Sequence, residues 1–140
     1  MIGILIVGHG KYATGMKENV KTIIGDVKKC YAIDFVYEDS PEELDTKIKS
    51  AIKELNDEDG VIIFLDLLNG TPFNTCAKYA IDNKKIKLVY GANAPMILDT
   101  IMKIQYSNDD LEEVVKNAIE IGKEQIGLFK VVSLPAEDDL

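Results

Sequence analysis

Hydrophobic positions along the chain switch between two periods in a recurring order, and that recurrence predicts the architecture. Ile2-Gly3-Ile4-Leu5-Ile6-Val7 is apolar without a break and rich in branched residues, as expected of a strand covered on both faces. Beyond the glycines around position 9, Met16, Val20, Ile23 and Ile24 return at helical spacing, and Gly25-Asp26 supplies a stop. The unit then repeats. Residues 30–36 read as a second strand. Ser40-Pro41-Glu42-Glu43 is a capping box with proline at the first helical position, and Leu44, Ile48, Ile52 and Leu55 form a buried stripe that ends by 56–60. Residues 61–65 are a third continuous apolar strand, and Asn69-Gly70-Thr71-Pro72 opens a helix running to about Ile81. Residues 87–90 read as a fourth strand, and Gly91-Ala92-Asn93-Ala94-Pro95 starts another helix. After Ser107-Asn108-Asp109-Asp110, the positions Leu111, Val114, Val115, Ala118, Ile119 and Gly122 mark a long amphipathic helix, followed by a short last strand over 127–133.

Strands alternating with helices predict a three-layer α/β domain with a mostly parallel sheet and right-handed crossovers. A common strand order for such a sheet is 2-1-3-4, which puts the first and third strands side by side where the connections diverge; ligand chemistry is expected at their carboxyl ends. No linker or internal repeat divides the pattern, so 1–134 reads as one domain and 135–140 as a loose acidic tail.

Composition narrows the function classes. The chain has 140 residues and 46% hydrophobic content, enough for a packed core without disulfides or a structural metal. No stretch reaches the roughly eighteen apolar residues of a membrane helix, and 1–7 is too short and lacks the basic flank of a signal peptide, so a cytoplasmic protein is expected. Cys30 and Cys76 have no CxxC or Cys/His companions and read as reduced, packed thiols. A net charge of −8 with dispersed basic residues argues against nucleic acid and for basic protein partners. All 16 basic residues are lysine, so the planar arginine fork that commonly clamps phosphorylated substrates is missing.

The lone histidine, His9, directly follows the first strand between Gly8 and Gly10, which permit a tight turn and close approach of another molecule. The helix beginning near Lys11–Thr14 would turn its unpaired N–H groups toward an anion on the imidazole, holding a phosphoryl group without arginine. Asp66 ends the third strand, next to His9 in the predicted order; its carboxylate can fix the ring tautomer and leave the other nitrogen nucleophilic. Thr71 offers a hydroxyl and neighbouring N–H groups to the same crevice, while Asn69 and Gly70 shape the turn. Plainer readings exist for each. A histidine is usually structural or idle, Asp66 could be a loop carboxylate, Thr71-Pro72 a simple cap, and the glycines mere turn formers.

Three motifs then form a pattern. ILIVGHG over 4–10, FLDLLNGTPFN over 64–74 and YGANAPM over 90–96, in this order and at similar spacing, resemble the IIA component of the mannose-family sugar phosphotransferase system across almost the whole chain. The resemblance implies a flavodoxin-like sheet and a phosphocarrier without cofactor or metal. It implies that His9 accepts a phosphoryl group from phospho-HPr and passes it to a IIB component, which phosphorylates the sugar during uptake through the membrane permease (IIC and IID). It makes Asp66 the partner of the His9 ring, and the residues around it, Gly10, Asn69, Gly70 and Thr71, are then expected to hold the phosphate. It further implies a homodimer in which 127–133 crosses to lie antiparallel on the other subunit's sheet. The family commonly has two glycines and a serine where this chain has Asn69, Gly70 and Thr71, so the turn is open to question. No IIB domain follows within the 140 residues, so the receiver is expected on a separate chain.

Alternatives divide on residues. A sister group of similar fold serves dihydroxyacetone kinase, with a histidine motif that is usually HS rather than His9-Gly10. Histidine phosphatases need an arginine before the histidine and a second histidine. A flavodoxin-like ligand-binding module for flavin would want a hydroxyl-rich phosphate loop where only Tyr12 and Thr14 stand, and a receiver domain would want an acidic pair in place of Val7-Gly8-His9.

Overall fold

A computed structural model describes residues 1–132. The elements run β1 (Gly3–His9), α1 (Tyr12–Ile24), β2 (Cys30–Phe35), α2 (Pro41–Leu55), β3 (Val61–Leu65), α3 (Thr71–Ile81), β4 (Ile86–Val89), α4 (Ala94–Tyr106) and α5 (Leu111–Glu124). The four strands form one parallel sheet in the order β2-β1-β3-β4, with Val7 opposite Leu65 and His9 opposite Phe35. The expected order and layers are therefore present.

Side-chain alternation splits the interior in two. Ile4, Ile6, Ile62 and Phe64 point to the face covered by α1, α4 and α5, where they meet Ala13, Val20, Ile97, Ile101 and Val114. Leu5, Val7, Ile63 and Leu65 point to the opposite face and pack on Leu44, Ile48 and Leu55 of α2 and Cys76 of α3. This double covering explains the unbroken apolar runs of β1 and β3, each branched side chain contributing about 1.5–3 kcal/mol on burial.

Local signals set the element ends. Ser40 Oγ accepts from Glu43 N at 3.1 Å with Pro41 beside it, Asn93 caps α4 through Met96 N, and Asp110 caps α5 through Glu113 N. Gly25 closes α1 at φ 83°, a conformation open to glycine at little cost. β4 begins at Ile86, one residue before the expected position. Residues 127–132 enter no strand of this sheet; Ser133 and the tail 135–140 lie outside the described residues.

Candidate active site

The carboxyl ends of β1 and β3 bring His9 and Asp66 together, although 57 positions separate them in sequence. Asp66 Oδ2 accepts from the His9 backbone N–H and faces ring Nδ1, each at 2.9 Å. Its other oxygen accepts from Leu67 N at 2.9 Å. An ionised carboxylate only accepts hydrogen bonds, so this contact assigns a proton to Nδ1 and leaves the lone pair of a neutral ring on Nε2. The His9 side chain is 42% exposed and that of Asp66 only 14%. Phe35 of β2 stands edge-on to the imidazole at 6.3 Å between ring centres.

Strand parity decides which helix the ring meets. His9 shares its face with Leu5 and Val7, so it leans toward the α2–α3 layer. A side-chain carbon on Gly70 would lie 3.2 Å from His9 Cε1 and 3.4 Å from Nε2. The amino end of α3, not that of α1, therefore borders the free nitrogen. This corrects the expectation for Lys11–Thr14: the Thr14 N–H and hydroxyl donate to Asp34 of β2 at 3.0 and 2.6 Å, which closes the start of α1 with a carboxylate.

α3 differs from the other described helices. Neither α3 nor α1 has a side-chain N-cap or an acidic residue in its first turn. At α1, however, Asp34 accepts from Thr14 N, and Ser40, Asn93 and Asp110 cap α2, α4 and α5, so only the start of α3 is left without a side-chain acceptor among the described helices. Pro72 has no N–H, so those of Thr71 and Phe73 remain at an electropositive end suited to an anion. The questioned turn is accommodated: Asn69 takes φ 67° and Gly70 φ 87°, and asparagine is among the side chains that best tolerate the left-handed region.

The two glycines beside His9 do different things. Gly10 has φ 57° with open space around it, and its N–H donates to Phe35 O at 2.7 Å. It makes the turn, and its N–H is already engaged rather than free for a phosphate oxygen. Gly8 leaves room for the protein's own groups, because a side-chain carbon there would overlap the Tyr12 ring and stand 2.9 Å from Asp66 Cγ. Sequence reasoning missed Asp34, Phe35 and Tyr12; the signal for Asp34 was a single carboxylate within the otherwise apolar run 30–36.

A cavity of about 670 Å³ between β2 and α2 is lined by neither His9 nor Asp66. The histidine stands on an open surface bordered by exposed Leu67 and Leu68, an arrangement that admits another protein.

A family profile described as EIIA-man, PTS system fructose IIA component, matches residues 3–119. The chain belongs to this family. Among EIIA-man relatives, the PTS system sorbose-specific EIIA component of Lacticaseibacillus casei is 32% identical over 137 residues, 97% of each chain. The PTS system mannose-specific EIIAB component of Escherichia coli K12 is 28% identical over 129 residues, covering 92% of this chain and 40% of that protein. The chain thus spans two-fifths of the length of that EIIAB relative. The crystal structure of phosphotransferase system component EIIA from Streptococcus agalactiae has the same fold, with a TM-score of 0.81, 24% identity, and coverage of 91% of this chain and 96% of that one.

Proposed function

We propose that this EIIA-man chain is a cytoplasmic phosphocarrier of a sugar phosphotransferase system, accepting a phosphoryl group on His9 Nε2 from phospho-HPr and passing it to a IIB component. The observation that carries the reading is the His9–Asp66 contact: it occupies Nδ1 and leaves Nε2 beside the uncapped end of α3. In the first step the Nε2 lone pair attacks phosphorus, the Nε2–P bond forms and the bond from phosphorus to HPr breaks, its electron pair leaving with HPr. The imidazole gains positive charge, which the Asp66 carboxylate offsets, while the N–H groups of Thr71 and Phe73 and the Thr71 hydroxyl face the phosphoryl oxygens. The second step reverses the bonding toward IIB, which serves the IIC and IID permease. Holding the group with backbone dipoles instead of arginine keeps the intermediate transferable.

No described helix is long and apolar enough to cross a membrane, in keeping with a mobile carrier. The exposed side chains of Ile126, Leu128, Phe129, Val131 and Val132 support an exchanged strand in a homodimer, since β4 leaves one sheet edge open to pairing. Light scattering on the wild-type chain and on Leu128→Glu/Val131→Glu tests this: a dimer that dissociates in the variant is expected, and a wild-type monomer rejects the exchange.

Incubation with phosphoenolpyruvate, enzyme I and HPr, read by intact mass, tests the carrier role. The wild type is expected to gain one phosphate and His9→Ala none. An alanine variant that still gains phosphate removes His9 from the mechanism.

A further inference from the structure

We propose that Tyr12 is a positioning residue for the phosphoryl-transfer step, its ring forming the wall that keeps the Asp66 carboxylate aligned with His9 Nδ1. The proposal rests on the reading of His9 as acceptor.

Tyr12 is the first residue of α1, yet its ring lies over the end of β1. A side-chain carbon on Gly8 would stand 3.0 Å from Tyr12 Cγ and 2.9 Å from Asp66 Cγ, so the ring and the carboxyl group flank the same space and pack as near neighbours. The hydroxyl reaches across the site and donates to Ala92 O at 2.8 Å. Ala92 in turn donates its N–H to Leu65 O at 3.0 Å, and Leu65 immediately precedes Asp66. The tether that begins at Tyr12 thus ends on the strand carrying the carboxylate it covers.

Asp66 needs such a wall. It stands just past the end of β3, and the following Leu67 and Leu68 are exposed. Donors from His9 N, His9 Nδ1 and Leu67 N hold its oxygens, but none of them stops water approaching the carboxylate from the α1 side. The Tyr12 ring occupies that side, consistent with an Asp66 side chain far less exposed than the histidine it holds. Burial, with the nearby Asp66 charge adding to it, pushes the phenol up to about 12, so the hydroxyl stays a donor to Ala92 through the neutral range. A displacement of reacting groups on the ångström scale is costly in rate, and the wall acts through that sensitivity.

The test compares Tyr12→Phe, Tyr12→Leu and Tyr12→Ala in the full chain. Single-turnover rates are measured against phospho-HPr concentration, and the His9 Nδ1–H proton signal is followed by NMR in unphosphorylated protein. Tyr12→Ala and Tyr12→Leu are expected to lower the maximal rate roughly ten-fold with the half-saturating phospho-HPr concentration little changed, and to broaden or remove the Nδ1–H signal. Tyr12→Phe, which keeps the ring, is expected to recover the rate to within about three-fold. If the alanine variant does not fold, the leucine variant decides. A folded leucine or alanine variant with wild-type rate and a sharp Nδ1–H signal overturns the proposal. A wild type that takes no phosphate overturns the carrier reading instead, and the proton signal still decides whether Tyr12 aligns Asp66.

Discussion

One oxygen of Asp66 grips His9 at two points, the backbone N–H and ring Nδ1, both at 2.9 Å. The double contact ties the side-chain rotation of the histidine to its own main chain, so Nε2 keeps one direction relative to α3. Asp66→Asn retains an oxygen that can accept both contacts but loses the charge and the acceptor for Leu67 N. It is expected to slow phosphoryl acceptance by roughly 10- to 100-fold, in the range of a lost electrostatic stabiliser. Rapid-quench measurement with phospho-HPr checks this, and an unchanged rate would remove Asp66 from the mechanism.

The glycines on either side of His9 should respond differently to the same change. Gly8→Ala forces a carbon against Tyr12 and Asp66 and is expected to cost about 1–3 kcal/mol of stability, with phosphate acceptance falling in parallel. Gly10→Ala meets open space at φ 57° and is expected to cost only about 1–2 kcal/mol of backbone strain. Chemical denaturation and the intact-mass assay separate the two cases.

Asn69 offers a cleaner test of backbone conformation, since it is exposed and sits at φ 67°. Asn69→Gly should preserve or slightly raise the melting temperature, whereas Asn69→Val should destabilise by about 1–2 kcal/mol and slow transfer by disturbing the start of α3. Equal melting of the two variants would contradict the left-handed turn.

Alkaline pH should weaken the fold through buried acids. Burial pushes the Cys76 thiol from 9.0 up to about 12, and burial plus Asp66 pushes the Tyr12 hydroxyl from 10.0 up to about 12. Between those limits the folded state holds protons that the unfolded chain has lost. The stability these groups contribute is therefore complete below pH 9 and falls as pH rises toward 12. Guanidinium unfolding from pH 8 to 11 should show the decline, smaller in Cys76→Ala when each protein is compared with its own value at pH 8.

The sequence made the layers legible because residues 4–7 of β1 and all of β3 are apolar, and because cap signals such as Ser40-Pro41 and Asn93 hold in the structure. The meeting of His9 with Asp66 followed from strand order alone. Harder to read was the helix facing the ring. Chain proximity favours α1, which comes next, but alternation along β1 turns His9 toward α3. Asp34 and Tyr12 escaped notice because their partners, Thr14 and Ala92, belong to other elements. The strand expected over 127–133 pairs with no strand of the sheet over its described residues 127–132, so sequence pattern alone could not place it.

The ring of His9 is backed by Asp66 on one edge and free on the other. In the proposed relay, donor and receiver therefore visit the same doorway in turn, and neither stands in it while the other is there. Flux through such a carrier depends on how quickly one visitor vacates for the next, so excess unphosphorylated HPr should act as a competitor of IIB.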